Sequence, residues 1–139
     1  SKEDWELLAL RSSGSTHESR SPSYNYFRDH FNTQKEMQYK GLSSWHLGKI
    51  NDNVVSTLGL MISKKSSIAR YQAVLTNEGE RGKGYGSALL WRAANLANQH
   101  FGVRDFVIVT DEDHQDALRL YRKLGFEDAG KQILFYSWP

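Results

Sequence analysis

The feature of this sequence that most constrains its fold is a glycine-rich turn that joins a predicted strand to a predicted helix. Residues 74–90 read VLTNEGERGKGYGSALL, with Arg81 and Lys83 among the glycines. The first N–H groups of a helix have no partner within it, the helix dipole favours negative charge there, and glycine lets a phosphate approach the backbone closely. The turn therefore predicts an anion-binding site at a strand–helix junction.

Two common phosphate-binding motifs do not match this turn. A P-loop would need lysine after its second glycine, but Gly84, five residues after Gly79, is followed by Tyr85. A dinucleotide-binding G-x-G-x-x-G pattern would need glycine where the chain has Ser87 or Leu89. The pattern that does match is [QR]-x-x-G-x-[GA], present as Arg81-Gly82-Lys83-Gly84-Tyr85-Gly86.

A second block of sequence adds to this pattern. Residues 117–126 read ALRLYRKLGF, with apolar side chains at helical spacing. Together the two blocks resemble the acetyl-coenzyme A signature and the A-x-x-L-Y-x-x-x-G-F helix of the GNAT family of N-acetyltransferases. The resemblance covers residues 45–139 well and residues 1–44 only in general layout.

The resemblance implies an α/β (α+β) fold with a mixed, mostly antiparallel central sheet flanked by helices. The hydrophobic periodicity agrees, because it predicts the order α-α-β-β-β-α-β-α-β. Four helices are predicted. The first ends by the serine-rich residues 12–23, the second runs from Tyr24 to about Gly41, the third lies between the glycine turn and Gly102, and the fourth ends at Gly125. The predicted strands are 45–50, 54–62, 69–76, 105–110 and 132–138, of which DFVIVT at 105–110 is typical of a strand buried on both faces.

The start of the chain departs from the expected pattern. Such a chain would ordinarily begin with a strand, whereas this one begins with a predicted helix capped by Ser1. We therefore predict that the first strand is absent from this chain, either because it was lost upstream or because the chain is the C-terminal part of a longer protein, which we favour. Residues 1–139 are expected to form a single domain.

The resemblance also implies the roles of individual residues. The pyrophosphate of acetyl-CoA would bind N–H groups between Gly82 and Ser87, and the pantetheine would pair with the preceding strand, whose N–H near Val74 or Leu75 would polarise the thioester carbonyl. Tyr121 would protonate the departing thiolate as the catalytic general acid. The predicted cofactor-binding residues are Val74, Leu75, Thr76, Arg81, Gly82, Lys83, Gly84, Tyr85, Gly86, Ser87 and His114.

Several of these assignments have alternatives. His114 stands where the family often has an asparagine that contacts pantetheine, so that contact is a departure from the pattern. Tyr121 also fits a core aromatic, and Arg81 and Lys83 also fit a solvated surface pair. The general base stays open among Glu78, Glu80, Tyr71 and a water relay. Packing of the second helix is favoured over an acceptor pocket for Phe27, His30, Phe31 and Met37.

Composition and charge exclude several other classes of protein. The chain has no cysteine, so disulfides and thiolate metal sites are excluded, and its five histidines lack ligand spacing, so no metal is expected. Its net charge of +2 does not favour nucleic acid, and no apolar run is long enough to span a membrane. A cytoplasmic location fits a charged N-terminus that does not resemble a signal peptide.

The sequence thus predicts an N-acetyltransferase that transfers the acetyl group of acetyl-CoA to a primary amine of a small molecule or peptide by direct attack. The identity of the acceptor amine stays open. The alternative is a non-catalytic acyl-CoA-binding or assembly module of a tandem protein. A homodimer could form through the edge of the final predicted strand at 132–138.

Overall fold

The computed structural model describes residues 1–111 and 113–130, and these fall into two compact units, one of residues 1–109 and one that begins at Thr110. The final strand predicted at 132–138 and the homodimer predicted from its edge lie outside the described residues. The first unit contains, in order, α1 (Lys2–Ser13), α2 (Tyr24–Tyr39), β1 (Ser43–Ile50), β2 (Asn53–Ser63), β3 (Ile68–Thr76), a 3-10 turn (Glu78–Glu80), α3 (Tyr85–Phe101) and β4 (Asp105–Val107). The second contains α4 (Gln115–Lys123).

The four strands of the first unit form one sheet in the order β1-β2-β3-β4. The first three are antiparallel neighbours, and β4 runs parallel to β3. At the hairpin between β1 and β2, Asn51 and Asp52 have φ of 50° and 67°, the left-handed conformations that a tight two-residue turn requires. The mixed, mostly antiparallel sheet is therefore confirmed.

The helices of this unit cover both faces of the sheet. Trp45 of β1 packs with the core residues of α1 and α2 and pairs across the strands with Gly59 of β2. The next residue, Leu60, lies on the opposite face because side chains alternate along a strand, and it pairs with Tyr71 of β3. The Tyr71 hydroxyl donates a hydrogen bond to the Leu90 carbonyl of α3 at 2.8 Å. The sheet thus separates α3 from α1 and α2.

The helix ends follow the sequence signals. The Ser1 hydroxyl accepts a hydrogen bond from the Asp4 N–H at 3.2 Å, which caps α1 as predicted. Gly102 ends α3 in a left-handed conformation with φ of 66°, as a glycine at that position favours. Phe31 of α2 is buried against Leu8 and Ala9 of α1, which confirms that it packs the second helix.

The prediction for DFVIVT was wrong in length and burial. Only Asp105–Val107 forms a strand, and Val107 and Val109 are 42% and 50% exposed. A short apolar run cannot by itself distinguish a strand covered on both faces from one that is partly open. Within the described part of the chain, β4 has a strand neighbour on one side only, β3.

The longest helix among the described residues, α3, has 17 residues. Among the described residues, no helix combines the length and the apolar character that a membrane crossing requires.

Candidate functional site

In the strand–turn–helix segment of the first unit, the first residue after β3 is hydrogen-bonded to the neighbouring strand β2. Asn77, the first residue after β3, donates its backbone N–H to the Val55 carbonyl at 2.8 Å and its side-chain amide to the Val54 carbonyl at 3.0 Å. The 3-10 turn Glu78–Glu80 follows, and α3 begins at Tyr85. The end of β3 and the beginning of the glycine turn are thereby fixed to the neighbouring strand β2.

The N-terminus of α3, residues 84–87, presents a set of backbone hydrogen-bond donors, and we call it the mouth of the helix. The Ala88 N–H donates to the Gly84 carbonyl at 3.0 Å and is the first intrahelical hydrogen bond, so the N–H groups of residues 84–87 have no partner within the helix. Gly84 is the N-cap, with φ of 84°, and the structure records no side-chain capping bond there within the described residues. Gly82 also has a left-handed φ, of 79°. The sequence prediction that the glycines turn the chain into an open helix N-terminus is therefore borne out as geometry.

Two cations and one carboxylate flank this mouth. The exposed Arg81 donates from Nε to the Thr76 carbonyl at 3.3 Å, which ties it to the end of β3. Lys83 Nζ lies 3.0 Å from Glu80 Oε2, and this hydrogen bond raises the pKa of Lys83. Both cations lie within the turn, so they add positive potential beside the helix N-terminus, although Glu80 partly offsets that of Lys83.

β3 carries an irregularity that the sequence analysis missed. Thr57 pairs with Leu75 and Gly59 pairs with Gln72, so the single residue between them on β2 faces two residues on β3, Ala73 and Val74. Ala73 has φ of 50°. This is a β-bulge, which leaves its extra residue out of the ladder and turns the strand. The only sequence signal is the apolar run of residues 73–75, which interrupts the alternation of side chains along the strand.

Among the described residues, the edge of β3 that faces β4 is paired over only part of its length. The parallel ladder with β4 runs from Ile68 opposite Asp105 to Arg70 opposite Val107 and ends there. Residues 72–76 of β3 therefore lie beyond the paired part of that edge in the described chain. They include Val74, Leu75 and Thr76, the three residues predicted to pair with pantetheine. An open strand edge presents backbone N–H and C=O groups that an extended ligand can pair with.

The structure narrows the choice of general base. Tyr71 is 5% exposed and donates its hydroxyl proton to the Leu90 carbonyl, and burial raises its pKa to about 12. A phenol that holds its proton so tightly does not act as a base near neutral pH. Glu80 is engaged with Lys83, whereas Glu78 is exposed at the start of the turn. Glu78, Glu80 and a water relay remain as candidates, because an exposed ion pair is too weak to exclude Glu80.

The second unit contains the other predicted site residues. Tyr121 lies on the half-buried face of α4, and its ring meets that of Phe126 edge-on at 6.1 Å between centroids. Burial raises the pKa of Tyr121. His114 is the N-cap residue of α4; its side chain is 64% exposed, and its Nδ1 lies 4.0 Å from Asp111 Oδ2. The second block thus folds as the predicted helix, with Tyr121 partly covered and His114 at the surface.

The described residues offer no set of His, Cys, Asp or Glu side chains that could hold a metal ion. The first unit presents N–H groups at the N-terminus of a helix with two cations beside them, next to a bulged strand edge that is partly unpaired among the described residues.

Comparisons with known proteins agree with this arrangement. The sequence model of the acetyltransferase (GNAT) family matches residues 7–126. No curated protein matches the chain at a significant level.

Solved structures share the fold at low sequence identity. A transcriptional regulator from Bacillus halodurans superposes with a TM-score of 0.74 at 20% identity, covering 99% of this chain and 95% of that one. A predicted acetyltransferase from Clostridium acetobutylicum, solved with acetyl-CoA, gives 0.68 at 16% identity, covering 98% and 92%. A variant of spermidine N-acetyltransferase from Vibrio cholerae gives 0.73 at 15% identity, covering 94% and 79%.

Proposed function

The chain belongs to the acetyltransferase (GNAT) family, and on that basis we propose that it transfers the acetyl group of acetyl-CoA to a primary amine by direct attack. One observation carries the proposal: the edge of β3 that is unpaired at residues 72–76 in the described chain is joined by the turn of residues 77–83 to the open N-terminus of α3 at residues 84–87. Acetyl-CoA consists of a diphosphate joined to an extended, amide-containing arm, so it needs an anion seat and a strand edge in succession.

The diphosphate would bind at the mouth of α3. Its oxygens would accept hydrogen bonds from N–H groups between Gly82 and Ser87, where the helix dipole favours negative charge. Arg81 and Lys83 would add charge-assisted contacts. Gly82 and Gly84 adopt the left-handed conformations that the turn requires. Among the described residues, the space beside each of them is open, so a ligand could approach the backbone there.

The pantetheine arm would pair with β3 as an added strand. Its amides would exchange hydrogen bonds with Val74, Leu75 and Thr76 along the edge that β4 leaves unpaired. The bulge at Ala73 and Val74 turns the strand at this point and would aim a backbone N–H at the thioester carbonyl. That N–H would stabilise the negative charge that develops on the carbonyl oxygen as the amine attacks.

The proton transfers require two further groups. The amine must lose a proton before it attacks, and Glu78, Glu80 or a water relay would accept that proton. The thiolate of CoA leaves as the C–S bond breaks, and Tyr121 would donate a proton to it. A raised pKa suits this donor, because it keeps the phenol protonated to a higher pH. The assignment of Tyr121 rests on the resemblance of residues 117–126 to the family's motif.

A second candidate function is a non-catalytic acyl-CoA-binding module. It is favoured by the loss of one base candidate, since Tyr71 is a buried hydrogen-bond donor. Both functions require acetyl-CoA to bind, but only the enzyme would release free CoA in the presence of an acceptor.

Binding is tested with a pair of charge variants on one helix. Ser87→Asp places a carboxylate at the third position of α3, where it favours the helix dipole but occupies the proposed seat of the diphosphate. Asn95→Asp places the same charge on an exposed position farther along α3. We expect acetyl-CoA to raise the melting temperatures of the wild-type chain and of Asn95→Asp. The melting temperature of Ser87→Asp should not change on addition of acetyl-CoA, although that variant is stably folded. Equal shifts in all three proteins would contradict the proposed seat.

Catalysis is tested by incubating the wild-type chain with acetyl-CoA and a panel of primary amines, including polyamines, amino acids and peptides. Release of free CoA that depends on the amine supports the transferase. Tight binding of acetyl-CoA with no release for any amine favours the binding module instead.

A further inference from the structure

Trp91 is an exposed aromatic residue on α3. Its side chain is 71% exposed, although tryptophan is the side chain with the most apolar area to bury. Single exposed apolar residues are common on protein surfaces, so exposure alone implies nothing. The position of Trp91 relative to the helix mouth is what distinguishes it.

Trp91 lies on the same face of α3 as the N-cap. With 3.6 residues per turn, the positions that share its face toward the N-terminus are Gly84, Ser87 and Ala88. Side chains on a helix lean toward its N-terminus, so the indole covers the turn that contains Ser87 and Ala88. Those three residues are small, and Ala88 is exposed. Trp91 is therefore the first large side chain that a ligand leaving the helix mouth along this face would meet.

The separation suits one part of coenzyme A. Trp91 is seven residues beyond Gly84, which corresponds to about 10 Å along the helix axis, and the lean of the side chain shortens that distance. In coenzyme A a single ribose connects the diphosphate to the adenine. A diphosphate bound at the helix mouth would therefore hold its adenine within reach of the indole.

We propose that Trp91 binds the adenine of coenzyme A by stacking, and so forms a nucleotide subsite that extends the diphosphate seat along α3. This inference rests on the proposed function. Stacking of a base on an exposed aromatic ring requires no rearrangement of the core and tolerates any orientation about the ring normal. The subsite would contribute to affinity for the cofactor and not to the acetyl-transfer step.

The test separates the adenine end of the cofactor from the thioester end. Binding of acetyl-CoA and of 3′-phosphoadenosine 5′-diphosphate is measured by calorimetry for the wild type, Trp91→Ala, Trp91→Phe and the control Asn95→Ala, which alters the same face one turn farther along. We expect Trp91→Ala to weaken both ligands by about tenfold, Trp91→Phe to retain most of the affinity, and Asn95→Ala to match the wild type. Turnover of acetyl-pantetheine, which lacks the nucleotide, should be unchanged in all four proteins.

Fluorescence provides a second measurement. 3′-Phosphoadenosine 5′-diphosphate should quench part of the tryptophan emission of the wild type, and that part should be missing in Trp91→Phe. If the wild type binds acetyl-CoA and Trp91→Ala binds it equally well, this inference alone is overturned. If Trp91→Ala also loses turnover of acetyl-pantetheine, the residue has a general structural role and the inference is again overturned. If the wild type binds no acetyl-CoA, the proposed function itself fails and this inference with it.

Discussion

The Thr76 side-chain oxygen lies 2.9 Å from the point that a Cβ atom would occupy on Gly86. Thr76 is the last residue of β3 and Gly86 is the second residue of α3. A distance below 3.0 Å is closer than a real Cβ atom approaches another heavy atom, so only glycine fits here without a shift. The lack of a side chain at Gly86 therefore allows the end of β3, proposed to bind pantetheine, to pack closely against the first turn of α3, proposed to bind the diphosphate.

Replacing Gly86 with alanine should therefore destabilise the fold. We expect Gly86→Ala to lower the free energy of unfolding by about 1–3 kcal/mol through overpacking, although alanine favours a helix by up to about 1 kcal/mol over glycine. In a Thr76→Ala background the same change should become neutral or stabilising, because the clashing oxygen is gone. Urea unfolding of the four proteins of this cycle measures the reversal.

Gly79→Ala is the matched control for this cycle. Gly79 lies in the same turn, its Cβ position has nothing within 4 Å, and its φ is not left-handed. A cost for Gly86→Ala no larger than that for Gly79→Ala would show that the contact with Thr76 does not constrain the turn.

The backbone conformation at position 84, and not contact with neighbouring atoms, should restrict which residues fit there. The φ of Gly84, 84°, is left-handed, and its Cβ position is open. We expect Gly84→Ala to destabilise the fold by about 1–2 kcal/mol, the strain of an ordinary residue in this conformation. Gly84→Asn should lose less, because asparagine tolerates the left-handed region and caps helices well. Denaturant midpoints for the two variants would contradict this reasoning if asparagine were as costly as alanine.

The parts of the fold that were predicted correctly are those set by local sequence. The ends of α1 and α3 follow from Ser1 and Gly102, and the glycine turn follows from the left-handed conformations that Gly82 and Gly84 adopt. Each signal acts within a few residues of the structure that it determines, so a single sequence contains the information.

The parts that were missed depend on contacts between distant segments. The bulge at Ala73 and Val74 is defined by the register with β2, and the short extent of β4 is defined by where its pairing with β3 stops. The sequence does not exclude Tyr71 as a base, because its sequence neighbours do not show that α3 brings the Leu90 carbonyl to its hydroxyl. The hydrogen bonds and burial that set the pKa of a residue such as Tyr71 come from segments distant in sequence, so the residues adjacent to it in the chain do not reveal them.

Burial of Tyr71 should give the protein a specific alkaline instability. Its pKa is raised from 10.0 to about 12 in the folded state, so above pH 10 the unfolded state loses this proton first and is favoured. The stabilising contribution is therefore complete below pH 10 and is lost as the pH rises to about 12. Tyr71→Phe cannot ionise, so its free energy of unfolding should fall less steeply over this interval. Parallel slopes for the two proteins between pH 10 and 12 would contradict the assignment.

Tyr121→Phe should separate the two candidate functions. Loss of a general acid lowers turnover by about a hundredfold, whereas the phenylalanine ring preserves the packing against Phe126. We expect kcat to fall with no change in the affinity for acetyl-CoA. Because burial raises the pKa of Tyr121, the wild-type rate should also persist to a higher pH than the ordinary tyrosine pKa would allow. An unchanged kcat would remove Tyr121 from the mechanism.

The ion pair between Glu80 and Lys83 should weaken the binding of acetyl-CoA. The Glu80 carboxylate lies 3.0 Å from Lys83 Nζ, so it competes with the diphosphate for this cation and adds a negative charge beside the helix mouth. Glu80→Gln removes that charge while keeping the shape of the side chain. We expect acetyl-CoA to bind up to about fivefold more tightly, within the range that an exposed pair contributes, and Lys83→Ala to bind it more weakly.

Asp4→Asn is the matched control for this prediction, because it neutralises one carboxylate of another exposed pair, Asp4 with Lys49, at 2.5 Å and outside the turn. The two variants change the net charge of the protein equally, so a general electrostatic effect would tighten binding in both. Tighter binding in Glu80→Gln alone, which disappears at high salt because mobile ions screen exposed charges, would locate the effect at the turn. Equal tightening in Asp4→Asn would instead show that the overall charge of the chain, and not the freed Lys83, governs its attraction for the anion.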